Sequence, residues 1–253
     1  MRRLLLCLAV AVGALASAPG ALAAGGPLFV APGGAGAASL DGTFHWVAVS
    51  DGVRATILER IDVRTAEVNY WLRLDGAWGT PLIGTGGQSG QGLSHDGRTL
   101  VLASTPGAPY QSSSKFLVVD VRRMRVVRTI RLDGEFSFDA LSPDASRMYL
   151  IQYKDGNLND YVVREYDMRA GRLLPGKVAD RSEGEKTMAG SALTRTTSAG
   201  GRWVYTLYQK PNGEPFIHAL DTVRGAAYCV DLPRNRVLYN IVLSLRGNDR
   251  TLA

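Results

Sequence analysis

The side chains best suited to chemistry are few, and their spacing is unhelpful. His45, His95 and His218 stand at unrelated offsets, without the paired spacing a zinc site uses. Gly86-Gly87-Gln88-Ser89-Gly90-Gln91 sets a serine among glycines, but Gln91 takes the place of the last glycine of a nucleophile elbow and no helical pattern follows. The wider glycine-rich run 84–92 lacks the Lys-Ser/Thr ending of a phosphate loop. In Asp155-Gly156-Asn157-Leu158-Asn159-Asp160, oxygens fall at alternate positions, so Asp155, Asn157 and Asn159 are the metal ligands a calcium loop would use. Asp160 stands where such a loop needs glycine, and its twelfth position is Tyr166 rather than an acid, so the segment reads as a solvated hairpin loop. No cofactor is expected. Cys7 lies in a segment expected to be removed, which leaves Cys229 without an internal disulfide partner; between Tyr228 and Val230 it is expected to be a buried, inert thiol.

The elements that would position these groups show themselves by repetition. Turns at Asp41-Gly42, Asp96-Gly97, Asp144-Ala145, Gly200-Gly201 and Asn248-Asp249 are each followed by an apolar, β-branched or aromatic run. From Asp41, Asp96, Asp144, Gly200 and Asp249 the intervals are 55, 48, 56 and 49 residues. A second landmark follows in each complete unit: Ile61-Asp62, Val119-Asp120, Tyr166-Asp167 and Leu220-Asp221 close a strand on an aspartate, whose carboxylate can accept N–H groups two residues on and fix a reversal. Each unit is thus four strands, here lettered A to D. The predicted class is all-β: a β-propeller of four-stranded antiparallel blades, four repeats plus the start of a fifth. The blades are expected at about 37–80, 86–133, 136–180, 188–235 and, in part, 240–253. A sandwich or a β-solenoid would not bring matched turn chemistry at so long a fixed period.

Asp96-Gly97-Arg98-Thr99-Leu100-Val101, Ser142-Pro143-Asp144, Arg147-Met148-Tyr149-Leu150-Ile151, Val118-Val119-Asp120 and Leu220-Asp221-Thr222 resemble the YVTN-type propeller repeats, relatives of WD-repeat blades. The resemblance covers about 37–253, although the Tyr-Val-Thr-Asn string itself is absent. It implies a ring of roughly seven blades, so a chain that stops inside the strand begun by Thr251-Leu252 is expected to be truncated or to close a smaller ring.

Propeller connectivity sends B–C loops and D–A connections to one face, and these are the variable ones: 105–114, 154–161, 177–186 and 209–215. Variable polar loops on a rigid scaffold are where binding resides, so Tyr110, Tyr161 and Lys210, with Asn157, are candidate ligand contacts. The innermost strands, expected at 88–91, 137–140, 189–195 and 240–243, line a central channel. There Gln91, Asp139 and Arg195 are polar groups that need water, a partner or a ligand.

Arg2-Arg3, an uncharged apolar run from Leu4 to Ala16 and the small residues of Ala21-Leu22-Ala23 form a signal peptide over 1–23, too short to span a bilayer. A Gly/Ala-rich lead-in, 24–36, follows. Removing two of the arginines takes the net charge from +6 to +4, which does not describe a nucleic-acid-binding surface. The cluster Arg122, Arg123, Arg125, Arg128 and Arg131 is read as a solvated outer strand, with an anionic cell-envelope partner as the alternative. The expected protein is an exported binding or interaction module in the cell envelope or outside the cell, without a membrane span in its mature chain. Its ligand on the loop face is a protein, a glycan or a small molecule. Two alternatives remain: a propeller enzyme of lactonase-like or quinoprotein-like type with its site at the channel mouth, and the sensor portion of a larger protein.

Overall fold

The computed structural model describes residues 30–31, 36–83, 92–104, 112–154, 157–180, 188–234 and 241–253. The segment 1–23 and most of the lead-in lie outside these residues. Among the described residues every regular element is a strand, and no helix is long and apolar enough to cross a membrane.

Four four-stranded antiparallel meanders account for most of the chain. The first is β2 (Ala37–Ala38), β3 (Phe44–Ser50), β4 (Ala55–Asp62) and β5 (Val68–Asp75). The second is β6 (Trp78–Pro81), β7 (Thr99–Ser104), β8 (Ser113–Asp120) and β9 (Arg125–Asp133), with β1 (Val30–Ala31) paired antiparallel to β6. Third come β10 (Phe136–Leu141), β11 (Arg147–Lys154), β12 (Asn157–Asp167) and β13 (Arg172–Leu173). The fourth contains β14 (Ser191–Thr197), β15 (Trp203–Gln209), β16 (Pro215–Asp221) and β17 (Ala226–Asp231), and a two-stranded start of a fifth follows in β18 (Leu245–Arg246) and β19 (Thr251–Leu252).

The A–B turns are built by one device. Ser39, Ser94 and Ser142 each donate their hydroxyl to the aspartate two residues on and accept the backbone N–H five residues on. That aspartate, Asp41, Asp96 or Asp144, accepts the N–H two residues further. The C–D turns use Asp62, Asp120, Asp167 and Asp221, each accepting N–H groups two and three residues on. Such donors hold the Asp167 carboxyl below the usual carboxylate range, the Ala170 N–H most of all. The fourth A–B turn keeps Ser198, but Gly200 stands where the aspartate should be. Asp249, in the fifth unit, reaches back to accept the Ala199 N–H at 2.7 Å.

Alternation along the strands gives each sheet two apolar faces, and every pair of consecutive sheets buries a cluster between them. Trp46, Leu58, Leu100, Leu102 and Val119 lie between the first and second. Val101, Phe116, Phe138, Met148 and Leu150 lie between the second and third. Tyr149, Val163, Val204 and Leu220, then Tyr153, Tyr161, Tyr208 and Phe216, fill the space between the third and fourth. Leu243 of the fifth unit meets Leu207 and Ile217. Sheets stacked face to face in chain order are the packing of a propeller rather than of two interleaved layers.

One boundary differs from the sequence expectation. The second sheet takes in Trp78–Pro81, which the expected boundaries leave at the end of the first unit; 88–91, the expected innermost strand, lie outside the described residues. Trp78 pairs with Ser104 and Gly79 with Ala103, while Leu93 bridges Leu100 further along the same edge. The reason is a repeated crossover, Leu74-Asp75-Gly76-Ala77-Trp78 and Leu132-Asp133-Gly134-Glu135-Phe136. Gly76 and Gly134 both take a positive φ, +100° and +104°. In the first copy Thr56 donates to the Gly76 carbonyl and accepts the Trp78 N–H; Ser114 does the same for Gly134 and Phe136.

A candidate ligand site at the centre of the sheets

The inner strands and their turns converge on a cavity of 170 Å3. Ala38 and Leu40 enter it from the first sheet, Leu93 and His95 from the second, Phe138 and Ala140 from the third, and Arg195, Thr197 and Gly201 from the fourth. Gly201 is required here by conformation and by space: its φ is +73°, and a Cβ there would lie 2.7 Å from the His95 side chain. The cavity sits at the A–B turn end of the molecule, opposite the variable loops that the sequence pointed to.

Asp139 and Arg195, both expected to line the channel, are brought together. A bulge between Phe138 and Ala140 leaves Asp139 as the extra residue of β10, and its carboxylate is 1% exposed. Arg195 pairs with Thr206 in register and reaches across to the third sheet. Its guanidinium donates to the Asp139 carbonyl and carboxylate, and Nε donates to Thr206 Oγ1 at 2.8 Å. Arg195 is 5% exposed and forms part of the cavity wall, so the ion pair separates the cavity from a second polar cluster behind it. Asp139 and Arg195 occupy the same place in successive repeats, each three residues before the turn serine (139 and 142, 195 and 198). Gln91 has that place before Ser94 and lies outside the described residues.

Behind the pair, His218 is buried on the same face of the fourth sheet as Thr206 and Tyr208. Burial pushes its pKa down to about 4, with Arg195 opposing and the Asp139 and Asp180 carboxylates favouring the charged form. Its Nδ1 lies 3.8 Å from Cys229 Sγ, and the Tyr208 ring stands edge-on to it. His218 Nε2 and Asp139 Oδ2 are buried without a hydrogen-bond partner among the described residues. Sequence spacing missed His218 because its neighbours come from other strands. The alternation of Thr206 and Tyr208 with Phe216 and His218 was the available signal.

The other candidates are not gathered at this centre. Tyr161 is buried rather than presented by a loop: its hydroxyl donates to the Gly190 carbonyl at 3.1 Å, and its ring packs against Tyr153 and Tyr208. Burial pushes its hydroxyl well above the ordinary tyrosine value. A buried tyrosine needs such an acceptor. Lys210 does sit at a B–C turn, where Nζ meets Asp231 at 3.1 Å and lies over the Phe216 ring. Tyr110 and Asp155 fall outside the described residues, as does the side chain of Asn159, and Asn157 is exposed at the start of β12. Among the described residues, no three His, Cys, Asp or Glu side chains are grouped to hold a metal ion. Cys229 is half-buried rather than sealed in the core as expected, because it lies in the outermost strand of its sheet.

Four-stranded antiparallel meanders, stacked face to face with their first strands around a shared centre, define a β-propeller. No protein-family model matches the sequence, and no curated protein does. Among solved structures, TolB from Acinetobacter baumannii is similar at 16% identity and a TM-score of 0.46, over 79% of this chain and 43% of that one. Hydrazine synthase of Kuenenia stuttgartiensis follows at 16% and 0.48, over 95% and 76%. The β-propeller domain of Cps50 (Swd1) from Myceliophteria thermophila is similar at 14% and 0.47, over 88% and 62%. The chain therefore spans less than half the length of the TolB chain. At these identities nothing about ligands or activity passes to this chain, and the fold assignment stands on the sheets and their packing.

Proposed function

We propose that the protein is an exported binding module that takes a small polar ligand into the central cavity. The observation that carries this reading is a 170 Å3 space walled by four successive sheets, with Arg195 in its lining. Three of the five Arg195 N–H groups are used by Asp139 and Thr206, so its fork retains donor capacity. An engineered cavity of roughly 150 Å3 holds a benzene-sized molecule, so the expected ligand is of that order, with an acceptor oxygen for Arg195 and an apolar side for Phe138 and Leu93. The salt bridge neutralises the guanidinium, which favours a neutral acceptor such as an amide or a hydroxyl over an anion. Catalysis is not proposed at this place: Asp139 and His218 lie behind the wall, and His95 stands in the lining without a carboxylate or nucleophilic thiol beside it among the described lining residues.

Fragment screening by ligand-observed NMR tests the cavity. Binders are expected for the native chain and lost in Ala38→Trp, which fills the space from a strand residue that is itself exposed. Binders that persist in that variant would remove the cavity from the account. Export is tested separately. The extracytoplasmic fraction should contain a chain beginning at Ala24, and deletion of residues 2–23 should abolish that pool.

A further inference from the structure

Lysine is confined by sequence to one end of the blades, whereas arginine occurs at both. All 5 lysines, Lys115, Lys154, Lys177, Lys186 and Lys210, fall by sequence in or beside the B–C and D–A connections. The A–B and C–D turns at the other end carry arginine and no lysine. Arginine is densest between the second and third sheets. There two adjoining concavities of 520 and 260 Å3 share Thr99 and Val127. Arg98, Arg122 and Arg123 line the first, and Arg128 and Arg169 the second.

Nearby carboxylates are occupied by turn chemistry. Asp120 accepts the Arg122 and Arg123 N–H groups, and Asp144 accepts from Ser142 and Ser146. Asp96 accepts from Ser94 and the Arg98 N–H. Five arginines against these three aspartates leave the cleft at +2. Arg123 also donates to Asp120 at 2.8 Å and Arg169 to Asp144 at 3.5 Å, and Arg98 approaches Asp96 at 4.0 Å. The Arg98, Arg123 and Arg169 side chains are nevertheless 61%, 72% and 82% exposed, so the N–H groups beyond those contacts face solvent. The floor is apolar at Val127, beside Val126; both are exposed on β9, the edge strand of its sheet.

We infer that this cleft docks an extended acidic polypeptide segment. Its carboxylates meet the arginine forks, which suit planar two-oxygen anions better than lysine does. An intervening apolar side chain covers Val126 and Val127, and its backbone extends the second sheet at the β9 edge. A phosphodiester chain would leave the valines uncovered and the edge unpaired, and the mild net charge of the chain does not favour one. This docking face is at the outer rim of the molecule and does not depend on the central cavity or on export.

The probe is a fluorescent short peptide alternating Glu and Val, titrated into the full chain. Comparison titrations use a Gln-Val peptide, a short single-stranded DNA and phosphatidylglycerol vesicles. The Glu-Val peptide is expected to bind, to weaken with added salt, and to slow hydrogen exchange across Arg125–Asp133. The exposed triple variant R122Q/R123Q/R169Q should lose about tenfold or more in affinity at an unchanged melting temperature, and the triple lysine variant should recover part of it. Three results overturn the inference: no binding of the Glu-Val peptide, equal binding by the triple glutamine variant, or stronger binding of DNA or vesicles than of the peptide.

Discussion

The interface between the first and second sheets and the one between the third and fourth are built on the same strand meander and filled in opposite ways. The earlier one is mostly hydrocarbon: Trp46, Leu58, Leu100, Leu102 and Val119 interdigitate, with Thr56 as a bonded hydroxyl at its end. The later one contains an ion pair, four tyrosine rings and an imidazole. Geometry of the scaffold therefore does not dictate the chemistry between blades. A register position that holds an apolar or small side chain in one repeat can hold Asp139 or Arg195 in another, provided the neighbour answers it.

The largest effect should come from breaking that answer on one side. Arg195→Met leaves Asp139 charged and buried, and should cost about 3–5 kcal/mol in urea unfolding. Adding Asp139→Leu to the same chain should recover most of the loss, since a hydrocarbon pair carries no desolvation penalty. No recovery would show that the bulge needs its carboxylate for another reason. Leu100→Ala, fully buried in the hydrocarbon interface, should cost about 2–5 kcal/mol, and no second substitution nearby should recover it by removing a partner. If both interfaces respond alike, the contrast drawn above is empty.

Acid should also tell them apart. In the unfolded chain His218 takes up its proton near pH 6.5, and in the folded one only near about 4. Between those values the unfolded state binds more protons. The contribution of His218 to stability is therefore fully present above pH 6.5 and is lost as the pH drops through about 4, on the order of 3 kcal/mol for this one group. His218→Phe should flatten that slope; an unchanged slope would locate the acid sensitivity elsewhere. A smaller loss, about 1–3 kcal/mol, is expected for Gly201→Ala, which forces a side chain into positive φ against His95. Thermal melting of that variant should show it, and His95→Gly in the same chain should relieve the contact but not the backbone strain.

Local chemistry was the legible part of the sequence. Asp62, Asp120, Asp167 and Asp221 accept N–H groups two residues on as their spacing implied, because a turn of that kind is written within five residues. Strand identity at Trp78 was also written, in the matching Leu-Asp-Gly-x-aromatic crossovers at 74–78 and 132–136. Asp139 and Arg195 were found as polar residues of inner strands. That they meet each other depends on a bulge and on the separation of two sheets, which no local pattern records. Tyr161 looked like a loop residue because Asp155-Gly156 precedes it, but β12 begins at Asn157 and carries it inward.

The carboxylate of Asp249 has a consequence beyond its own turn. By lending a hydrogen-bond acceptor to a reversal fifty positions upstream, it makes the fourth unit a debtor to the fifth. Order in such an array spreads from neighbour to neighbour. Here the direction of spread is set: loosening the downstream unit should unfasten the one before it, whereas the earlier reversals, each holding its own aspartate, should stay closed.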